Sequence, residues 1–397
     1  MKKLLVLFRH VTDVHLKKDV GLFPIYLSKY FDETELLSIY NEKQEQLPGQ
    51  LKNVRIRTLF RINKYPYGRI KQFIQNCWYG NRIIQYVCDD KTITHIMLFH
   101  WNLFHLYVVN KIKKLRPDIN IYLKLDCSID NAKNIVLQSL GNQKRVLKTF
   151  IERGINNIDL ITSETLQTDE ILKTSKLLIS KTFFAPNGYD DALLKTANRE
   201  LKEKSIITVG RLGTTQKNSE LLLRIIKELQ LKDWKVKLIG PIEKIEKDFQ
   251  KDIDLFYSER PDLKNTVIFT GPINDSEKLV KEYQKASIFI LTSRFESSGL
   301  VLLEAAINGC FVCTTDVGVG RDLCTENNFC FIVPESQTGE QNEEKMKDYF
   351  VEKLQACIDS SELCYKKFDE RIAFYKSNFM MSEIVSKDFF QKLWINK

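Results

Sequence analysis

Two successive series of short apolar runs, each alternating with amphipathic stretches, constrain the fold of this 397-residue chain more than any other feature. Apolar runs of about four to eight residues that alternate with helical patterns are typical of parallel strands joined by helices. The first series ends near residue 186, and a second begins near residue 205. The runs that we assign to strands are Lys3–Phe8, Glu35–Ile39, Val54–Leu59, Thr94–Phe99, Ile119–Leu125, Asp159–Ser163, Ser205–Val209, Lys235–Ile239, Thr266–Thr270, Ser287–Leu291 and Phe311–Thr314.

Chain length and pattern together predict an α/β protein of two Rossmann-like, doubly wound parallel-sheet domains, because single cores rarely grow beyond about 250–300 residues. Pro186-Asn187-Gly188 is a turn signal at the end of the first series. We therefore predict domains over residues 1–188 and 189–378. In open parallel sheets ligands bind beyond the carboxyl ends of the strands, so the loops there are the places to search for a site.

Composition favours a protein that is not integral to a membrane, since no apolar run approaches the ~18 residues that a membrane span needs. The nine cysteines are scattered without paired spacing, which predicts reduced thiols and a cytoplasmic location. Residues 1–195 carry 30 Lys and Arg against 19 Asp and Glu, whereas residues 196–397 carry 30 against 32. The first half is expected to face an anionic partner, with ordinary solvated lysines as the alternative.

An anion site is predicted after the strand Ser287–Leu291, where Ser297-Ser298-Gly299 precedes an apolar helix that stops before Gly309. The free N–H groups of Ser298, Gly299 and Leu300 are expected to point at a phosphate. Glu304 lies within this apolar helix, where a carboxylate needs donors or a cation. Ribose hydroxyls would supply the donors, and a structural arginine or backbone donor is the alternative.

Cations are predicted at a second strand end, because Ser205–Val209 runs into a turn that contains Arg211 and Lys217. A guanidinium and an ammonium that converge on a diphosphate would neutralise the charge of a leaving group without a metal. Ordinary surface cations are the alternative for each residue taken alone.

The combination of these motifs resembles the family 4 glycosyltransferases, which are retaining enzymes of the GT-B fold. The likeness is specific over about residues 186 to 335 and faint before residue 180. It is carried by Pro186-Asn187-Gly188-Tyr189-Asp190, Val209-Gly210-Arg211 with Lys217-Asn218, Phe269-Thr270-Gly271-Pro272-Ile273, Glu296 and Glu304 with seven residues between them, and Thr315-Asp316-Val317-Gly318.

The resemblance implies a GT-B fold whose two domains face each other across a cleft. Residues 1–188 would form the acceptor-side domain, with a C-terminal helix over 379–397 that packs back onto it, and residues 189–378 would bind the donor. The implied roles are diphosphate binding for Arg211 and Lys217, a place near the transferred sugar for Glu296, ribose binding for Glu304, distal-phosphate binding for Ser298, Gly299 and Leu300, base recognition for Gly271 and Ile273, and a glycine loop near the donor for Gly21.

One family position departs from the pattern. Family members often carry a histidine after the strand that corresponds to Ile119–Leu125, and this chain has Lys124-Leu125-Asp126-Cys127 there. Asp126, or His100 at the end of Thr94–Phe99, is therefore the acceptor-side candidate for contact with the sugar.

The implied function is retaining, metal-independent transfer of a hexose or HexNAc from a UDP- or GDP-sugar to a glycan or lipid-linked acceptor, in surface polysaccharide or glycolipid assembly. No cofactor is expected. A sugar phosphorylase or a nucleotide-sugar epimerase is the alternative within the same fold.

A non-enzymatic alternative is a nucleic-acid or membrane-surface binding protein. It is suggested by the stretch from Arg55 to Arg82, in which seven cations interleave with Phe60, Tyr65, Tyr67, Phe73, Trp78 and Tyr79. Such interleaving suits stacked bases or an anionic bilayer. Given the predicted donor site, we favour peripheral contact with the inner face of a membrane beside a lipid-linked acceptor and expect no nucleic acid.

Overall fold

The computed structural model describes residues 1–63, 69–140, 145–243, 248–324, 329–334 and 340–397. The chain divides into two compact units, of which the first comprises Met1–Gly188 with Met381–Lys397 and the second comprises Tyr189–Met380. Each unit is built on its own, largely parallel sheet flanked by helices. The predicted α/β class with two doubly wound domains is therefore confirmed.

The first unit has an eight-stranded sheet in the order β3-β4-β2-β1-β5-β6-β7-β8, parallel except for the short β3, which pairs antiparallel with β4. The strands are β1 (Lys3–Phe8), β2 (Glu33–Glu42), β3 (Gln50–Leu51), β4 (Val54–Ile62), β5 (Ile93–Phe99), β6 (Asn120–Lys124), β7 (Leu160–Ser163) and β8 (Thr182–Phe184). The helices are α1 (Asp13–Leu16), α2 (Asp19–Leu27), α3 (Arg69–Asp89), α4 (Leu103–Leu115), α5 (Ile129–Leu140), α6 (Arg145–Asn156) and α7 (Leu166–Lys173). All six residues of β1 are buried, because helices cover both faces of the sheet, and this explains the unbroken apolar run in the sequence.

The second unit has a fully parallel six-stranded sheet in the order β11-β10-β9-β12-β13-β14. The strands are β9 (Glu203–Val209), β10 (Lys235–Ile239), β11 (Val267–Gly271), β12 (Ala286–Leu291), β13 (Phe311–Thr314) and β14 (Cys330–Ile332). The helices are α8 (Ser219–Glu228), α9 (Phe249–Glu259), α10 (Ser276–Lys285), α11 (Leu300–Ile307), α12 (Gly320–Leu323), α13 (Glu343–Asp359), α14 (Glu362–Tyr365) and α15 (Phe368–Phe379). The chain order reverses between β9 and β12, which makes their carboxyl ends the switch point of this sheet.

The C-terminal segment belongs to the first unit but is not the single helix predicted over residues 379–397. It consists of α16 (Met381–Ser386), α17 (Asp388–Phe390) and a π-helical turn, Gln391–Ile395. The helix breaks because Met380 and Lys387 have extended backbone angles, with ψ of 141° and 139°. Ser382 lies inside α16 rather than at its cap. Trp394 is fully buried against the sheet and donates its indole N–H to the carbonyl of Asn120.

Two further findings concern the cysteines and the length of the helices. Cys324 and Cys330 form a disulfide, so the expectation of nine reduced thiols is wrong for this pair, and the other seven cysteines are free. Cys324 and Cys330 are six residues apart, a spacing that matches no familiar disulfide framework, so the pairing could not be predicted from the sequence. In the part of the chain that the structure describes, no helix is both long and apolar enough to span a bilayer.

Candidate active site

The loops after β9 and β12 meet at the switch point of the second sheet through a buried ion pair. Lys217 Nζ donates to Glu296 Oε1 at 2.6 Å, and the hydroxyl of Ser293 donates to the same oxygen at 2.7 Å. The two charged side chains are only 14% and 9% exposed. A pair shielded in this way is fixed in its geometry, because each group would be costly to leave without a partner.

Gln216 extends this cluster to the second predicted cation. Its side-chain amide donates to Glu296 Oε2 at 3.2 Å and to the carbonyl of Phe295 at 3.1 Å. Its side-chain oxygen accepts a hydrogen bond from the guanidinium of Arg211 at 3.0 Å. Arg211, Gln216, Lys217 and Glu296 therefore form one connected network, and the sequence reasoning missed Gln216 although it lies between the two predicted cations.

Arg294 fixes the turn that carries the cations. Its backbone N–H donates to the carbonyl of Gln216 at 2.8 Å, and its guanidinium donates to the carbonyl of Thr215 at 2.9 Å and to Glu343 at 2.7 Å. The carboxylate of Glu343 also accepts from Asn218 at 3.2 Å. These contacts hold residues 215–218 of the turn against the loop after β12 and against the start of α13.

The start of α11 is built on two glycines in the left-handed region. Gly299 is the N-cap residue with φ of +71°, and Gly318 has φ of +54°. A Cβ on Gly318 would lie 2.3 Å from the carbonyl oxygen of Ser298. That carbonyl accepts a hydrogen bond from the N–H of Val319 at 2.8 Å. The close approach of the 315–318 loop therefore sets the path of the backbone into the helix.

Ser298 carries the most informative side chain of this helix start. The residue is 3% exposed, and its hydroxyl has no hydrogen-bond partner among the described residues. An unpaired buried hydroxyl costs free energy, so such groups in native proteins call for an explanation. The free N–H groups of the first helical turn lie beside it, which makes the position suited to an anion.

Glu304 is held by a buried tyrosine. Tyr283 Oη, on α10, donates to Glu304 Oε2 at 2.9 Å. Burial raises the pKa of Tyr283, and the neighbouring carboxylate of Glu304 raises it further. The sequence left open whether a ligand or a structural group would satisfy Glu304, and the structure supplies a structural donor that is neither an arginine nor the backbone.

Glycines line the carboxyl ends of three adjacent strands. Gly210 follows β9, and a Cβ there would lie 3.0 Å from Lys217 Cε. A Cβ on Gly240, after β10, would lie 1.7 Å from the carbonyl oxygen of Gly210. Gly271 ends β11 with φ of +75° and open space where its Cβ would be, and Ile273 follows it half-buried. The predicted base-recognition turn thus lies at the same sheet edge as the cations, two strands away from β9.

Gly21, Asp126 and His100 belong to the first unit, not to this cluster. Gly21 lies inside α2 rather than in the predicted glycine loop, and a Cβ there would lie 2.0 Å from the carbonyl oxygen of Leu16. Close packing of the chain against α2 therefore explains this glycine.

Asp126 and His100 follow neighbouring strands at the carboxyl edge of the first sheet. His100 has φ of +64°, its N–H donates to the carbonyl of Lys124 at 2.9 Å, and its ring centroid lies 5.7 Å from that of Phe8. Lys124 itself is fully buried, pairs with Glu164 and lies 3.4 Å from Asp19. Burial raises the pKa of Glu164. Among the described residues, no three His, Cys, Asp or Glu side chains are grouped as a metal site would need.

Several described basic and aromatic side chains between Arg55 and Arg82 contact other residues of the protein. Arg55 pairs with Glu33 at 3.3 Å and Arg57 with Glu35 at 3.7 Å, and Phe60 packs on Trp78 and Tyr79 with ring centroids 4.4 and 4.7 Å apart. The residues Lys64, Tyr65 and Tyr67 and the side chains of Arg69, Lys71 and Phe73 lie outside the described part. Rings that stack on one another leave less surface for bases than the sequence suggested.

The chain is similar in sequence and in structure to known proteins. Residues 203–351 match the family model described as Glycosyl transferases group 1. The match covers most of the second unit, including the two strand loops described above. The crystal structure of Anabaena Alr3699/HepE in complex with UDP and glucose superposes with a TM-score of 0.63 at 15% identity over 97% of both chains. The chain has the GT-B fold.

Two curated relatives match part of the chain. The sulfoquinovosyl transferase SQD2 of Arabidopsis thaliana is 25% identical over 191 residues, which are 48% of this chain and 33% of that protein. The poly(glycerol-phosphate) alpha-glucosyltransferase of Bacillus subtilis (strain 168) is 27% identical over 238 residues, which are 57% of this chain and 31% of that protein. The matched region thus spans about a third of each of these relatives.

Proposed function

We propose that this GT-B chain is a glycosyltransferase whose second unit binds a nucleotide diphosphate sugar at the switch point between β9 and β12. The observation that carries the proposal is the buried, unpartnered hydroxyl of Ser298 at the start of α11. It lies in the same pair of strand loops as a network that contains two cations. A diphosphate would satisfy the hydroxyl and the helix N–H groups and would attract both cations.

The cations would stabilise the charge that builds on the departing diphosphate. Lys217 and Arg211 are at present bonded to Glu296 and Gln216, so the donor phosphates would compete with these partners. One well-placed donor that stabilises this charge lowers the activation free energy by about 2.7–4 kcal/mol. Two such cations would make a metal unnecessary, and we propose a metal-independent reaction.

The two carboxylates would bind different parts of the donor. Glu304, oriented by Tyr283, would accept hydrogen bonds from the ribose hydroxyls. Glu296 would lie near the transferred sugar, and Gly271 with Ile273 would contact the base. On this arrangement the acceptor hydroxyl attacks on the face from which the diphosphate departs, and the configuration at the anomeric carbon is retained.

We propose a UDP- or GDP-activated hexose or HexNAc as the donor and a glycan or lipid-linked molecule as the acceptor. UDP is favoured as the first base to test, since one structural neighbour is described as a complex with UDP and glucose. The name of one curated relative, a poly(glycerol-phosphate) alpha-glucosyltransferase, supports transfer to an anionic polymer. We place the reaction in glycolipid or surface polysaccharide assembly, in the cytoplasm or at the inner face of a membrane. Asp126 and His100 remain the acceptor-side candidates.

A thermal-shift screen of UDP-, GDP- and ADP-sugars tests donor binding directly. A matched donor at 100 times its dissociation constant should add about 2.7 kcal/mol of stability. Lys217→Ala and Arg211→Ala should each slow transfer roughly 10²–10³-fold. Lys227→Ala is the control, because Lys227 pairs with Glu259 on the surface, where both side chains are 43% exposed. The proposal fails if no nucleotide sugar binds, and phosphate-dependent turnover or epimerised donor without an acceptor would favour the alternative enzymes.

A further inference from the structure

A groove on the first unit, far in sequence from the cluster at Lys217, has the chemistry of a site for anionic groups. It has a volume of about 550 Å³ and lies between α4 and α6. Its lining residues are Tyr107, Asn110, Lys111, Lys114, Arg145, Val146, Thr149, Phe150 and Arg153. Four of them are cations, and none is acidic.

The four cations of the groove, Lys111, Lys114, Arg145 and Arg153, are exposed and have no acidic partner among the described residues. Elsewhere on the same helices, cations are paired, as Lys113 is with Asp159 at 3.1 Å. Lys111 and Lys114 are one turn apart on α4, so they present their charges on one face. A concave surface with four unpaired like charges carries a positive potential that attracts anions.

This charge distribution is a property of the groove rather than of every cavity in the chain. A cavity of similar volume in the second unit, about 510 Å³, is lined by Arg199 and Lys367 together with Glu200, Asp369 and Glu370. Mixed charges of this kind are ordinary for a solvated surface. The groove between α4 and α6 accounts for part of the excess positive charge of the first half of the chain, whereas Arg55 and Arg57 are paired with acids.

The shape of the groove is fixed by packing. A Cβ on Gly154 of α6 would lie 2.8 Å from Leu106 Cδ2, so the glycine lets α4 and α6 approach closely. The ring of Tyr107 lies against Gly80 of α3, and its hydroxyl donates to Asn81 at 2.7 Å. A ring held in this way forms a wall of the groove and is not free to stack on a base.

Apolar side chains beside the cations indicate which anionic partner the groove fits. Val146 is 84% exposed next to Arg145, and Leu115 is 57% exposed next to Lys114. Exposed aliphatic groups next to basic ones suit the boundary between lipid headgroups and acyl chains. A soluble polyanion would gain nothing from these aliphatic groups.

We propose that the groove between α4 and α6 docks the chain onto an anionic phospholipid surface, with lipid phosphates bound by Lys111, Lys114, Arg145 and Arg153 and with Val146 inserted beside them. The proposal does not depend on the donor site, because it concerns different residues in the other unit. It assigns membrane contact to helices that the basic stretch from Arg55 to Arg82 does not include.

Vesicle binding by the full chain tests this proposal. Wild-type protein should co-sediment with phosphatidylglycerol-containing vesicles, bind phosphatidylcholine vesicles weakly, and dissociate at high salt. Lys114→Glu with Arg145→Glu should weaken binding at least about 30-fold, since each basic residue near such a surface contributes about a factor of five. Val146→Ser should weaken binding while leaving every charge in place.

The matched control is Lys195→Glu with Lys235→Glu, which makes the same charge change at two exposed lysines of the second unit. It should bind vesicles at least half as well as wild type. Unchanged thermal unfolding and nucleotide-sugar binding would show that the groove variants fold. Equal losses in the groove and control variants would overturn the proposal, and so would tighter groove-dependent binding of polyphosphate or single-stranded DNA than of vesicles.

Discussion

Lys217 Nζ lies 2.6 Å from Glu296 Oε1, and this pair joins the loop after β9 to the loop after β12. Each charge is largely shielded from water. We propose that the pair serves two purposes: it stabilises the switch-point loops, and it would place an ammonium and a carboxylate where a diphosphate and its sugar meet.

Separate removal of each partner should show both purposes. Lys217→Met or Glu296→Gln alone leaves one shielded charge unpaired, which should cost about 3 kcal/mol, the lower end for buried pairs because neither side chain is fully buried. The double variant should recover much of that loss, since no charge is left alone. Sugar transfer should stay low in all three variants. Melting temperatures and initial rates measured on the same preparations check this, and an additive loss of stability in the double variant would contradict it.

Ser298→Ala should lower the affinity for the nucleotide without lowering the stability of the unliganded protein. The hydroxyl has no partner among the described residues, so its removal should leave the unliganded protein as stable as wild type or slightly more stable. A hydrogen bond to a charged group contributes about 1.5–3 kcal/mol, so the affinity for the nucleotide should fall roughly 10-fold or more. Thermal unfolding and calorimetric titration with UDP give the two values. A destabilised variant with unchanged nucleotide affinity would show that the hydroxyl is structural.

Gly318 and Gly271 form a matched pair for testing how the backbone shapes the site. Both have positive φ. A Cβ on Gly318 would lie 2.3 Å from the carbonyl oxygen of Ser298, whereas a Cβ on Gly271 would meet no atom within 4 Å. Gly271→Ala should therefore cost only the conformational penalty of about 1–2 kcal/mol. Gly318→Ala should cost more and should also displace Ser298, which weakens nucleotide binding. Similar melting temperatures and affinities for the two variants would contradict this account.

Most strands could be predicted because helices bury both faces of a parallel sheet and leave continuous apolar runs. Phe311–Thr314 and Lys235–Ile239 have the same bounds in the sequence pattern and in the structure. By contrast, β8 and β14 have three residues each, which is too short for a pattern to emerge. The C-terminal segment has an amphipathic pattern, yet it breaks at Met380 and Lys387, where tertiary packing outweighs local propensity.

The candidate site could be predicted only in part, because side-chain partners depend on tertiary contacts. The strand ends and the Ser298–Leu300 helix start were visible in the sequence, since turn residues and apolar runs mark them. Tyr283 was not, because it reaches Glu304 only through the packing of α10 beside α11, 21 residues away in the chain. Gly21 lies in a helix rather than in the predicted loop, because a glycine required by close packing and a glycine in a loop have the same sequence signature. Its place near the donor stays a prediction.

Acidification should loosen the C-terminal segment through His95. Burial lowers the pKa of His95 to about 4, and its Nε2–H donates to the carbonyl of Trp394 at 2.9 Å. The unfolded chain takes up the proton near pH 6.5, so stability is lost as the pH falls from about 6.5 towards 4, by roughly 2 kcal/mol at pH 5. His105, whose pKa burial also lowers to about 4, should add a similar loss.

His95→Gln should therefore reduce the fall in melting temperature between pH 7 and pH 5. Phe31→Leu removes a ring 4.9 Å from His95 but no titrating group, and it should lower stability equally at both pH values. Faster hydrogen exchange over residues 391–395 at pH 5 in wild type, but not in His95→Gln, would locate the loosening, and identical pH profiles in the two proteins would exclude His95 as its cause.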